Sequence, residues 1–119
     1  MELKDRFLKY VSYDTQSSEQ SRTFPSTDKQ LVLLRELADE MKALEMTEVT
    51  MDAHGYVMGT VPATPGCESA PVVGFIAHVD TSPDMSGKDV RPRTIEEYDG
   101  GDIVLNGQLT MRVADFPEL

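Results

Sequence analysis

The stretch "PVVGFIAHVDTSPD", Pro71 to Asp84, decides how the fold of this chain is interpreted. It begins with a nearly continuous apolar run, which predicts a central strand over Val72 to Ala77 that is covered on both faces. The run ends in His78 and Asp80, and side chains two residues apart in a strand point to the same face. Ligands usually lie at the carboxyl ends of strands in open α/β sheets. The stretch therefore raises the hypothesis of half a metal site.

His78 and Asp80 have the chemistry of a metal ligand and its supporting carboxylate. Neutral imidazole binds zinc and related transition metals, and a ligating histidine normally gives its other ring N–H to a carboxylate or carbonyl. Asp80 suits that supporting role or the role of a second direct ligand. By itself His-x-Asp is a weak pattern, because a lone histidine is more often a structural residue. The facial triad of non-haem iron enzymes needs a second, later histidine, and none follows His78.

Other reactive residues of the chain are assigned structural roles. His54 precedes Gly55 in a predicted tight turn, which we favour over a ligand role. Cys67 has Glu68 beside it and no cationic neighbour that would stabilise a thiolate. A single cysteine cannot form an internal disulfide, which is compatible with a reducing cytoplasm. The sequence contains neither a G-x-S-x-G nucleophile elbow nor a phosphate-binding glycine loop.

The periodicity of the chain predicts an α/β fold: two helices, a hairpin and the central buried strand in a mixed sheet. The first helix runs from Glu2 to about Tyr13, and the second begins at a capping box formed by Thr27 and Gln30 and ends near Leu44. Further predicted features are the apolar stripe Leu3, Phe7, Tyr10 and Val11, the stripe Leu31, Leu34, Ala38, Met41 and Leu44, the hairpin strands "EVTMD" and "YVMGTVP", and short strands at 102–105 and 108–113.

The charge balance limits the partners that this protein can have. Its 119 residues include 21 Asp and Glu against 11 Lys and Arg, a net charge of −10. Such a surface repels phosphate backbones and anionic lipids, which argues against nucleic-acid and membrane partners. The longest uncharged apolar stretch, Ala70 to Ala77, is far shorter than the roughly 20 residues of a spanning helix. The charged N-terminus lacks the apolar core of a signal peptide.

The chain resembles the N-terminal part of the M20 family of co-catalytic dizinc metallopeptidases, and the resemblance covers essentially all of residues 1–119. His-x-Asp-Thr is shared across that wider family. The continuation S-P-D-x-S-G-K-x-V-x-P and the later Y-x-G-G-D-I-x-L look specific to its tripeptide aminopeptidase branch. The stretches that carry the resemblance are "RFLKYVSYDTQS", "PSTDKQ", "HVDTSPDMSGKDVRP", "EEYDGGDIVLN" and, more loosely, "DFPEL".

This resemblance implies roles for two residues. His78 corresponds to a ligand of one of two zinc ions, and Asp80 to the catalytic aspartate that holds this histidine. Residues 1–119 then form the N-terminal portion of the catalytic domain. The general base, the remaining ligands and the small domain that covers the site and can mediate a homodimer would lie further along. The implied activity is a cytoplasmic, zinc-dependent release of the N-terminal residue from tripeptides, and no substrate-binding residue is assigned.

Two alternatives stay open from the sequence. Another M20 enzyme, such as a dipeptidase, carboxypeptidase or amidohydrolase, would share His-x-Asp-Thr. A non-catalytic α/β module would use His78 structurally and would ignore metal ions. A chain that folds alone, without metal, would favour the module. Residues beyond 119 and a substrate panel would separate the M20 enzymes, and an Asp-rich metal-bridging loop followed by a Glu-Glu pair would settle the assignment.

Overall fold

Two helices and two β-hairpins form the regular structure of this protein, in a computed structural model that describes residues 1–119. Helix α1 spans Leu3–Tyr10 and helix α2 spans Gln30–Ala43. One antiparallel hairpin is made of β1 (Thr47–Met51) and β2 (Val57–Thr60), and a second of β3 (Ile103–Val104) and β4 (Thr110–Met111). The predicted α/β class and the predicted positions of these elements are confirmed. No helix has both the length and the apolar character to cross a membrane.

Helix α2 carries the small core of the structure. Leu33, Leu34 and Ala38 are buried, and α2 packs against the β1–β2 hairpin. The predicted stripe is therefore correct at Leu34 and Ala38, whereas Leu44 at its end is exposed. Burial of a Leu side chain stabilises a fold by about 1.5–3 kcal/mol, so this core is modest.

The predicted capping box at the start of α2 is wrong. The N-cap residue is Lys29, and no side chain caps the helix. The Thr27 hydroxyl instead donates a hydrogen bond to the carbonyl of Gln16 at 2.9 Å. The Gln30 side-chain amide donates to the Ser26 hydroxyl at 3.0 Å. The Thr27 hydroxyl therefore makes a tertiary hydrogen bond and does not cap the helix.

The turn of the first hairpin is organised by Asp52. One of its carboxylate oxygens accepts hydrogen bonds from the backbone N–H groups of His54 and Tyr56, both at 2.9 Å. The pKa of Asp52 lies below its ordinary value, mainly because the Tyr56 N–H stabilises the carboxylate. Burial of the carboxyl opposes this lowering, and the His54 N–H adds to it. Gly55 is buried and has a φ of +88°, which a residue with a Cβ rarely adopts. The predicted turn at His54 and Gly55 is confirmed.

The predicted central strand does not form. Residues 71–80 contain no strand, Val72 is 99% exposed, and Ile76 is fully exposed. A buried strand needs neighbouring strands and a covering layer on each face, but β1 and β2 pair only with each other, as do β3 and β4. The sheets are therefore two separate antiparallel pairs and not one mixed sheet. The only parallel pairing is an isolated bridge between Gln16 and Thr81.

The molecule is far more open than a packed domain of its size. Its radius of gyration is 18.3 Å, whereas a compact chain of this length would have about 13.5 Å. Its accessible surface is 9907 Å², against about 6400 Å² expected for its mass. Part of the excess is apolar surface of residues 72–76, since Val72, Val73, Phe75 and Ile76 are all exposed.

Polar contacts attach helix α1 to helix α2. Arg6 Nε donates to a Glu40 carboxylate oxygen at 2.6 Å, and the Tyr10 hydroxyl donates to the other oxygen. Lys9 pairs with Glu36. The predicted apolar stripe of α1 is not buried, because Leu3 and Phe7 are exposed. Burial, followed by the bond to Glu40, raises the pKa of Tyr10 to about 12, and the same bond is the main cause that lowers the pKa of Glu40.

These shifts predict that the contact between α1 and α2 weakens at both ends of the pH scale. The pKa of Glu40 lies below its ordinary 4.5, so its stabilising effect is present above that value and is lost as the pH falls. The pKa of Tyr10 is raised, so its effect is present below its ordinary 10.0 and is lost as the pH rises through about 12. Hydrogen exchange of the α1 amides, corrected for intrinsic rates, measures both losses. Glu40→Gln should abolish the acid-side loss, and an unchanged acid-side profile in that variant would contradict the assignment.

A second prediction concerns Gly55. An added Cβ would lie 2.8 Å from Leu34 Cδ1 in the core, and the positive φ itself costs an L-residue about 1–2 kcal/mol. We expect Gly55→Ala to lower the free energy of unfolding more than Gly66→Ala, which has a φ of +86° but no atom within 4 Å of an added Cβ. Urea titrations of the two variants measure the difference. Equal losses would show that the contact with Leu34 contributes nothing.

Candidate metal centre

The structure brings the two predicted site residues into contact. His78 Nδ1 lies 3.0 Å from Asp80 Oδ1. An ionised carboxylate only accepts hydrogen bonds, so in the neutral imidazole Nδ1 carries the proton and Nε2 has a free lone pair. The His78 side chain is 85% exposed and that of Asp80 is 43% exposed. A solvent-facing Nε2 whose tautomer is fixed by a carboxylate is the arrangement of a histidine ligand with its supporting residue.

The donor set in residues 1–119 is incomplete for zinc. Zinc in proteins is usually held by three or four protein ligands, and no group of three or more His, Cys, Asp and Glu side chains comes together here. His54 lies in its turn, with Nδ1 3.6 Å from Asp52 Oδ2, and Cys67 is exposed. His78 and Asp80 fit one ligand and its support, and any other donors would have to come from outside these residues.

A polar loop, Asp14 to Ser17, holds the backbone that follows Asp80. We call it the 14–17 loop. The Ser17 N–H and the Ser17 hydroxyl both donate to the Thr81 carbonyl, at 2.9 and 3.0 Å. The Thr81 N–H donates to the carbonyl of Thr15, a residue that is almost fully buried, at 3.2 Å. The loop thus pairs with the residue next to Asp80 as a short parallel strand would.

The side chain of Gln16 extends this contact into the next turn. Its Nε2 donates to the carbonyls of Pro83 and Met85, both at 3.0 Å. The loop is in turn fixed to the start of α2, because Asp14 Oδ1 accepts from Lys29 Nζ at 2.8 Å and from the Gln16 N–H at 3.2 Å. The bond from Lys29 is the main cause that lowers the pKa of Asp14.

The sequence pattern does not predict the 14–17 loop, because residues 14–29 between the two helices are largely polar and lack periodicity. A signal was present in the side chains, since Asp, Thr and Ser often hydrogen-bond to nearby backbone. The partners, however, lie more than 60 residues away. No local pattern could have named them.

An open groove runs beside the candidate centre. It lies between α2, the β1–β2 hairpin and residues 61–81, and its volume is about 2230 Å³. Pockets for small ligands occupy about 300–1,000 Å³. The groove is therefore too large and too apolar to be a substrate pocket by itself, and we assign no substrate-binding residue in it.

Known proteins share this sequence over nearly its whole length. The chain is 51% identical over 117 residues to "Peptidase T" of Clostridium novyi and 54% identical over 117 residues to "Peptidase T" of Caldanaerobacter subterraneus. It is 52% identical over 120 residues to "Peptidase T" of Geobacillus thermodenitrificans. This chain is similar to a segment of peptidase T. The match covers 97–99% of the chain. No family model matches it.

The chain spans only 28–29% of the length of these peptidase T proteins. The similarity confirms the resemblance to a peptidase that the motifs around His78 indicated, and it is consistent with a fragment of peptidase T. The name that these relatives share specifies neither a metal ion nor a particular peptide substrate. Zinc, the M20 family and the roles of His78 and Asp80 stay predictions.

We predict that residues 1–119 alone bind zinc weakly, because one imidazole and one carboxylate leave most of the coordination sphere to water. Calorimetric titration should give an affinity far below that of a complete site, and His78→Ala should abolish the residual heat. His54→Ala is the matched control and should change nothing. Tight, stoichiometric binding that His54→Ala removes would make His54 a ligand and would contradict our assignment of the turn.

Proposed function

We propose that this chain is part of a cytoplasmic, zinc-dependent aminopeptidase that releases the N-terminal residue from tripeptides. One observation carries the proposal: a chain that is 50–54% identical to peptidase T proteins over almost all its length holds a histidine and a carboxylate in contact. The relatives' shared name supports a peptidase. The pairing of His78 with Asp80 supports metal chemistry, and the tripeptide preference rests on the branch-specific motifs around them.

In this proposal His78 is a ligand through Nε2, and Asp80 holds the imidazole from Nδ1. The charge of Asp80 raises the basicity of the ring and fixes the direction of its lone pair. When bound, a pair of zinc ions supplies polarisation of the scissile carbonyl and a lowered pKa of a bound water. The general base and the other ligands would belong to the part of the longer protein outside residues 1–119, as would a domain that mediates a homodimer.

The similarity also bears on the alternatives. A dipeptidase, carboxypeptidase or amidohydrolase of the same family would share His-x-Asp-Thr, but the three relatives described above are named peptidase T. A panel of dipeptides, tripeptides and N-acylated substrates would separate these activities. A non-catalytic module would bind no metal and cleave none of the panel.

The proposed function predicts the effect of Asp80→Asn in the full-length protein. The amide keeps the shape of the carboxylate, but it removes the negative charge and can present an N–H where an acceptor is needed. Loss of a residue that supports a ligand costs about 10–100-fold in metal affinity or activity. We expect turnover of a tripeptide to fall at least tenfold, and excess zinc to restore only part of it.

The control and a second variant make this prediction specific. Asp84→Asn removes a carboxylate of the same loop that contacts only the Ser82 side chain, and it should leave turnover within about twofold. His78→Ala removes the ligand itself and should lower the zinc-to-protein ratio from two towards one. Wild-type turnover and two zinc ions in Asp80→Asn would refute the assigned pair.

A further inference from the structure

The segment that carries His78 and Asp80 is poorly supported on its N-terminal side. Residues 71–77 have no strand partner and their side chains are exposed. The only polar contact of the His78 ring is with Asp80. Firm contacts begin immediately after Asp80, at Thr81, and continue to Met85. The position of the Asp80 carboxylate is therefore determined mainly from its C-terminal side.

Gln16 makes more of the hydrogen bonds that hold this turn in place than any other residue. Its N–H donates to Asp14, its carbonyl accepts from the Thr27 hydroxyl, and its side-chain NH₂ donates to two carbonyls of the turn. Thr27 and Lys29 stand at the start of α2, and Lys29 reaches Gln16 through Asp14. A continuous set of hydrogen bonds thus connects a helix to the turn that follows Asp80.

From this geometry we propose that Gln16 is a positioning residue for the metal centre, acting on His78 through Asp80. The inference rests on the proposed function, because it assigns Gln16 a part in that same centre. Because one planar amide binds two carbonyls, it restrains the turn at Pro83 to Met85 relative to α2. The carboxylate of Asp80, three residues earlier, then meets Nδ1 of His78 in one orientation and directs Nε2 towards the metal.

Two substitutions separate the amide from the rest of the side chain. Gln16→Ala removes the NH₂ donors but leaves the backbone contacts of the loop. Gln16→Glu keeps the length of the side chain and places acceptors against two carbonyl oxygens, so its effect should be at least as large. Gln20→Ala is the matched control, since Gln20 lies in the same connection, is exposed and makes no side-chain hydrogen bond.

The test uses the full-length protein and three measurements. In Gln16→Ala we expect hydrogen exchange of the Ser17 and Thr81 amides to rise about tenfold, the change that loss of one or two neutral hydrogen bonds produces. Release of zinc to a chelator should become about three- to tenfold faster and kcat should fall by a similar factor, less than the ~10–100-fold cost of losing a residue in contact with the ligand. KM for a tripeptide should stay within about twofold, and Gln20→Ala should match wild type in every measurement.

The outcomes distinguish this inference from the proposed function. Faster amide exchange with unchanged zinc release and kcat would show that Gln16 only stabilises the loop, which would overturn the inference. A wild-type protein that neither binds zinc nor cleaves peptides would refute the proposed function. In that case the His78 Nδ1 proton signal in NMR still decides whether Gln16 orients the contact between His78 and Asp80. Its loss in Gln16→Ala supports positioning, and its persistence contradicts it.

Discussion

The backbone of Thr81 joins the candidate centre to the rest of the structure. Its carbonyl accepts from the Ser17 N–H and its N–H donates to the Thr15 carbonyl, and no other hydrogen bond between two backbone groups connects residues 1–60 with residues 61–119. Each such bond contributes only about 0.5–1.5 kcal/mol. Because little apolar surface is buried nearby, the geometry of His78 and Asp80 depends on directional polar contacts and not on packing.

The elements that the sequence predicts well are those whose stability is local. Helix α2 has a periodic apolar face that packs on the adjacent hairpin, and Gly55 allows the turn between β1 and β2 because it accepts a positive φ. Each of these features arises within about 30 consecutive residues. The start of α2 is predicted less well. Its local sequence predicts that the Thr27 hydroxyl caps the helix, but the hydroxyl donates to the carbonyl of Gln16 instead.

The elements that the sequence predicts poorly depend on partners that are distant along the chain. Val72 to Ala77 has the composition of a strand buried on both faces, but composition cannot supply neighbouring strands, and in this chain the segment stays unpaired. The 14–17 loop shows the opposite error. Its polar sequence without periodicity predicts no specific contact, but the loop binds residues far away in the sequence. His78 and Asp80 are in contact although the strand expected to align them does not form, because their side chains are only two residues apart and can still meet.

The acidic character of the chain does not explain how a metal would be selected. A net charge of −10 attracts any cation, but beyond about 8 Å the attraction is screened at physiological ionic strength. It also makes no distinction between calcium, magnesium and zinc. An imidazole does, because nitrogen ligands favour zinc and its neighbours over the hard cations that prefer oxygen. In the proposed centre, what residues 1–119 contribute to selectivity is therefore the imidazole nitrogen of His78, and its direction depends on Asp80 and on the loop that holds the residue after it.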